Sequence, residues 1–161
     1  MKKYLLITLL SIAAITAGIF LRQLNAYDFT TLDGSKLQLA DHKGEWVVVN
    51  YFAEWCAPCL REIPELNKFQ QLTKNESISL YGISFDKLQT HELSLLKDKY
   101  DIRYSLIDEV KSPLPFEAPQ YLPATFLLRP DGSIAGQLLG EQKAESLLEA
   151  IKKEQSKFTN S

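Results

Sequence analysis

From Trp46 to Phe52 the chain reads Trp-Val-Val-Val-Asn-Tyr-Phe, a stretch in which apolar side chains do not alternate with polar ones. β-Branched and aromatic residues favour extended backbone, and a near-continuous run of them is the pattern of a central strand covered on both faces. This strand leads straight into Trp55-Cys56-Ala57-Pro58-Cys59. From Ala57 to Leu72 the pattern turns helical, with Ile63, Leu66 and Phe69 recurring at three-residue steps. Pro64 falls inside that helix and predicts a kink, because the helix loses a backbone donor there.

The rest of the chain alternates strands and helices. Phe29 to Thr31 and Leu37 to Leu39 flank Asp33-Gly34, a hairpin-type turn signal. Ile78 to Phe85 reads as a strand, His91 to Tyr100 as a helix and Ile102 to Ile107 as a short strand. Lys111 to Leu122 is a proline-rich loop. Ala124 to Leu128 and Ser133 to Leu139 then alternate across Asp131-Gly132 as an antiparallel hairpin, and Ala144, Leu147, Leu148 and Ile151 line one face of a closing helix. There is no fixed-period repeat and no low-complexity tract, so residues 27–161 read as one compact unit.

Composition narrows the function classes. The chain has 161 residues, 45% hydrophobic and 24% charged, the profile of an ordinary globular domain. Its 18 Lys and Arg against 20 Asp and Glu supply no broad basic surface for a phosphate backbone, which argues against a nucleic-acid partner. Its two cysteines are too few and too close for a disulfide-stapled scaffold, and a zinc site would lack two ligands. A redox or catalytic pair is what remains.

The first 26 residues stand apart. Lys2 and Lys3 precede an uncharged run from Tyr4 to Leu21 that as a helix would extend roughly 27 Å, nearly a bilayer's hydrocarbon thickness. Positive charge before the run places the remainder outside the cytoplasm. The segment reads as a signal peptide ending at Ala26 or as an uncleaved membrane anchor, with Leu24 a poor match to the small residue a cleavage site prefers. Beyond residue 26 the chain keeps 15 basic and 20 acidic side chains, so the terminal segment is its only expected membrane attachment.

The chemistry sits where the central strand meets the helix. A cysteine at a helix N-terminus faces unpaired backbone N–H groups and the positive end of the dipole, which stabilise its thiolate. That position belongs to Cys56. Cys59 lies one turn later, within reach of a mixed disulfide formed on Cys56. Cys56 is therefore the expected attacker, partly exposed and of depressed pKa, and Cys59 the buried resolver. Pro58 stiffens the first turn, and Trp55 is placed to shield one side of the pair. Leu122-Pro123-Ala124-Thr125 opens a strand with proline at its first position, where a cis bond is natural. With that turn beside Cys56, the backbone of Leu122 would offer an N–H and a C=O to an incoming polypeptide.

The stretch from Phe29 to Phe69, the Leu122–Gly132 segment and the terminal helix together resemble the membrane-tethered or periplasmic thioredoxin-like reductases of the TlpA/ResA type, which include CcmG-like proteins. The likeness covers residues 27–153. It implies an α/β thioredoxin-like fold, a central mixed β-sheet flanked by helices with an added N-terminal β-hairpin. It also implies a redox-active Cys56–Cys59 pair and Pro123 as the cis-proline. Family members reduce disulfides of exported proteins, often apocytochrome c or proteins of copper-site assembly, and are recharged by a DsbD-type or CcdA-type membrane electron carrier. No cofactor is implied, and a monomer is expected.

One departure bears on proton transfer. Cytoplasmic thioredoxins carry a buried aspartate where Asn50 stands, and Asn50 cannot take a proton from the second cysteine. The TlpA/ResA type often places an acid at the end of the next strand, which makes Asp86 the candidate. Glu54 is the other nearby acid and reads as solvent-facing. His42 and His91 read as surface histidines, and Tyr51, Phe52 and Phe126 as core. Two alternatives use the same cysteines: a dithiol oxidase of exported proteins, and a copper-binding assembly carrier, since soft thiolates suit Cu(I). Reduction is favoured, because the resemblance runs through the N-terminal hairpin and DsbA-type oxidants carry a large helical insertion. Alkylation of the reduced protein near neutral pH, mapped by peptide, should label Cys56 well before Cys59; the opposite order would reverse the assignment.

Overall fold

The computed structural model describes residues 27–159, together with Ile12 and Thr16. The signal or anchor segment expected over residues 1–26 otherwise lies outside the described residues, among which no helix is long and apolar enough to cross a membrane.

Trp46–Phe52 forms strand β3, and all seven of its residues are buried. Its interior position explains this: β3 pairs in parallel with β4 (Ile78–Ser84) on one edge and antiparallel with β6 (Ala124–Leu128) on the other. β4 in turn pairs in parallel with β5 (Ser105–Val110), and β6 pairs antiparallel with β7 (Ile134–Leu139). Two short strands complete the sheet, β1 (Phe29–Thr31) against β5 and β2 (Lys36–Leu37) against β1, both antiparallel. The order is β2-β1-β5-β4-β3-β6-β7.

Among the described residues three α-helices connect or close these strands: α1 (Ala57–Leu72), α2 (Thr90–Lys99) and α3 (Ala144–Thr159). The crossovers β3-α1-β4 and β4-α2-β5 advance in the same direction, and a constant hand then lays both helices on one face. Ile63, Leu66 and Phe69 of α1, Leu93 and Leu96 of α2, and Ala144, Leu147 and Ile151 of α3 accordingly share a core with Val48, Phe52 and Leu80. Each leucine or isoleucine fully buried there contributes about 1.5–3 kcal/mol. The alternate residues Val47, Val49 and Tyr51, with Tyr81, Ile83, Ile107 and Phe126, form a second core on the other face, covered by Leu37, Leu39, Leu114, Phe116 and Leu122. Phe116 stacks on Phe126 at 4.1 Å between ring centres.

Where the structure departs from the sequence pattern, side chains have taken over backbone hydrogen bonds. Leu39 does not extend a strand but opens a 3-10 turn, Leu39–His42, because Asp28 accepts its N–H at 2.9 Å and Asp41 accepts that of Gln38 at 2.8 Å. Ile102 lies outside β5, which begins at Ser105. Asn67 of α1 donates to the Asp101 carbonyl at 2.7 Å and accepts from the Arg103 N–H at 2.8 Å, so those groups are engaged away from the ladder. Pro64 sits inside α1 without ending it.

Gly82 of β4 is a packing requirement. A Cβ there would lie 2.6 Å from Leu106 Cδ2 and 2.8 Å from Tyr104 Cε2. Gly82→Ala should therefore lower stability by about 1–3 kcal/mol, read as a reduced urea midpoint at unchanged m-value.

Candidate functional site

β3 delivers its chain end to the N-terminus of α1, and Cys56 is the N-cap residue. Its backbone is extended and its sulfur accepts the Cys59 N–H at 3.3 Å. The two cysteines are joined in a disulfide with Cα atoms 5.3 Å apart. Cys56 is 6% exposed and Cys59 1%. The order matches the expectation, but Cys56 is more enclosed than the partly exposed thiol expected, because it belongs to the same core cluster as Phe52 and Ala53.

Trp55 stands at the surface beside the pair. Its side chain is 67% exposed. Its indole N–H donates to Asp86 Oδ1 at 3.1 Å, and its ring meets Phe85 edge-on at 6.3 Å. Asp86 is thus a half-exposed carboxylate beyond the end of β4 that accepts from an indole, not a buried acid. Glu54 is held at the surface by Lys99 at 2.7 Å and the Tyr100 hydroxyl at 3.2 Å, and the Lys99 bond lowers its pKa.

The Leu122–Pro123 bond is cis. Ala124 pairs with Tyr51, so Pro123 stands one residue beyond the last pair of the β3/β6 ladder, at the end of β3 that leads to Cys56. Pro123 is buried and its carbonyl accepts the Gly140 N–H at 2.9 Å, while the half-buried Leu122 packs against the core cluster that contains both cysteines.

The acid buried behind the disulfide is Glu62, a residue the sequence reading passed over. Three residues after Cys59 on α1, it falls on the same helix face as Cys59, Ile63 and Leu66 and is fully enclosed. Asn50 Nδ2 donates to its Oε1, and the Gln142 N–H donates to its Oε2 at 3.1 Å. The same Asn50 amide donates to Thr125 Oγ1 at 3.0 Å, tying β3 to β6 beneath the helix. Burial pushes the Glu62 pKa up to about 7, a rise that the Gln142 and Asn50 bonds hold in check. Tyr104, whose ring lies over Gly82, is pushed upward by burial and then by the Glu62 charge. The signal in the sequence was a glutamate placed where the Cys59-to-Phe69 stripe calls for an apolar residue.

His42 also departs from its surface reading. It is half-buried, with Nδ1 3.1 Å from Glu45 and Nε2 3.1 Å from the Tyr81 hydroxyl. His91 is exposed. Among the described residues no group of three or more His, Cys, Asp or Glu is arranged to hold a metal ion. A disulfide at a helix N-terminus, with a carboxyl poised near neutrality one turn behind it, is equipped for thiol–disulfide exchange coupled to proton transfer.

Residues 22–137 match the AhpC/TSA family. The thiol-disulfide oxidoreductase ResA of Bacillus thuringiensis is 30% identical over 125 residues, 77% of this chain and 72% of that protein. Among solved structures, a thioredoxin-family thiol:disulfide interchange protein of Chlorobium tepidum superposes with a TM-score of 0.65 at 22% identity, over 78% of this chain and 90% of that one. StoA of Bacillus subtilis gives 0.62 at 18% identity, over 78% and 95%. The shared fold is the thioredoxin fold.

The Glu62 environment has a consequence for stability. Its folded pKa lies above its ordinary 4.5, so between about pH 4.5 and about 7 the folded protein keeps a proton that the unfolded chain has released. Stability should fall with rising pH across that window, by about 3 kcal/mol in total, and level off above it. Urea unfolding of the oxidised protein should show this slope in wild type and lose it in Glu62→Gln.

Proposed function

The chain belongs to the AhpC/TSA family and is a thiol-disulfide oxidoreductase related to ResA, and from that premise we propose that it reduces disulfides of exported proteins outside the cytoplasm. The observation that carries the exchange chemistry is the buried Glu62 carboxyl one helical turn from Cys59. In the reduced enzyme the Cys56 thiolate, stabilised by the α1 N-terminus, attacks one sulfur of a substrate disulfide and expels the other as a thiolate. A mixed disulfide now joins Cys56 to the substrate. Cys59 gives its proton to Glu62, attacks the Cys56 sulfur and releases the second substrate thiolate. Two electrons have passed to the substrate, and the Cys56–Cys59 disulfide is the oxidised product.

Asn50 is a positioning residue here, because its amide fixes the Glu62 carboxylate from β3. The Leu122 backbone, next to Pro123 and outside the β3/β6 ladder, is assigned to pair with the substrate chain. Asp86 orients Trp55 and takes no proton from Cys59. Lys2 and Lys3 before the uncharged run support an extracytoplasmic domain tethered or exported by residues 1–26. A reductant in an oxidising compartment needs a continuous supply of electrons, which assigns a DsbD-type or CcdA-type membrane carrier as donor. Apocytochrome c and proteins of copper-site assembly are the substrate classes proposed.

Cys59→Ser should accumulate mixed disulfides with substrates, whereas Cys56→Ser should form none. Glu62→Gln should slow resolution at least about tenfold near neutral pH while leaving the first attack near the wild-type rate. Acid-trapped cells should contain the reduced pair, turning oxidised when the membrane carrier is deleted. A pair oxidised even with the carrier present would assign the oxidase direction instead.

A further inference from the structure

The disulfide is not the only feature at the carboxyl ends of the parallel strands. Beside it a cleft of about 400 Å³ opens where β4 and β5 end. Its walls are apolar: Tyr51, Ile83, Phe85, Leu88, Ile107 and Val110. Phe85 is 44% and Val110 42% exposed, and Phe85 in turn meets the exposed Trp55 that precedes Cys56. An apolar strip thus runs from the disulfide through Trp55 and Phe85 into the cleft. A contiguous exposed apolar strip beside a reactive disulfide is the mark of an interaction surface.

The rim of the cleft has a sign. Asp86, Asp108 and Glu109 contribute carboxylates against the single ammonium of Lys87. Each carboxylate already has one partner: the Trp55 indole for Asp86, the Thr90 hydroxyl at 3.0 Å for Asp108, and Lys111 at 2.5 Å for Glu109. Only the Glu109 pair cancels a charge, so the rim with Lys87 and Lys111 included keeps a net negative charge. The Ser84 hydroxyl, in the wall between them, is buried and makes no hydrogen bond within the described residues. Apolar walls, an anionic rim and an unsatisfied hydroxyl together fit an extended peptide that brings an apolar side chain, a neighbouring Lys or Arg, and a polar backbone group.

We infer that this cleft binds the segment of substrate polypeptide flanking its reactive cysteine and selects segments that pair an apolar residue with a basic one. The inference rests on the reductase reading above and adds the substrate's chemical class to it. Trp55, oriented by Asp86, forms the bridge between the sulfur chemistry and the cleft. Binding energy gathered there acts on capture of the substrate and not on the sulfur exchange itself, so selection shows in KM.

The test uses the reduced full chain and three disulfides: a peptide with Leu-Lys or Leu-Arg placed within about six residues of the cysteine, a reach set by about 3.3 Å per extended residue, the same peptide with Glu in place of the base, and a small aromatic disulfide without peptide. The basic peptide should be preferred over the acidic one by about fivefold in kcat/KM, carried by KM and weakened by salt. Asp108→Asn and Glu109→Gln should each shrink the preference, and Asp108→Lys should invert it, with the small disulfide reduced at the wild-type rate by all three. Equal rates for the two peptides, or a preference that survives all three substitutions, would overturn the inference while leaving the reductase reading intact. Failure to reduce even the small disulfide would overturn both.

Discussion

Strand β3 is buried on both faces and paired on both edges, and everything at the site is positioned by it. Val48 and Phe52 hold the helical layer, Val47, Val49 and Tyr51 the opposite core. Asn50 carries the one amide side chain among the seven, and its N–H groups are spent on Glu62 and Thr125. A strand so constrained cannot slip by one residue without exchanging its faces. The start of α1, and with it the direction in which Cys56 presents its sulfur, is fixed by that register.

The second constraint is electrostatic. A fully buried carboxyl is expensive unless it is hydrogen-bonded or neutral, and Glu62 is offered both solutions. Its two donors come from opposite sides, Asn50 from the sheet and Gln142 from the chain entering α3, and burial keeps its pKa near neutrality. A carboxyl in that balance changes protonation state with little driving force, which suits a group that handles the proton of Cys59. Asp86, half-exposed and engaged with an indole, has no such environment.

Much of this was legible in the sequence. The unbroken run of β3, the stripe of α1 and the strand-to-helix cysteines follow from local propensity and periodicity, and the structure reproduces them residue for residue at β3 and α1. The errors have a common origin. Leu39 and Ile102 left their expected strands because Asp28 and Asn67, 11 and 34 to 36 residues away, bind the backbone there. His42 reads as a surface residue in the sequence because the Tyr81 hydroxyl, 39 residues away, meets it only in the folded chain. Glu62 was passed over because a glutamate in an exposed-looking helix turn carries no mark of burial until the stripe around it is traced.

The two cores are roofed in different ways. One lies under helices, the other under the 3-10 turn and irregular chain, with Leu114 and Phe116 of the proline-rich segment pressed onto Phe126 and Tyr51. That segment runs directly into Leu122 and Pro123. Irregular chain is held mainly by its side-chain anchors, so the roof of this core and the cis-proline turn share one fastening. A displacement of the turn at Leu122 would load Phe116 as well, and its trace would be altered protection of amides on the far face of the sheet, well away from any sulfur.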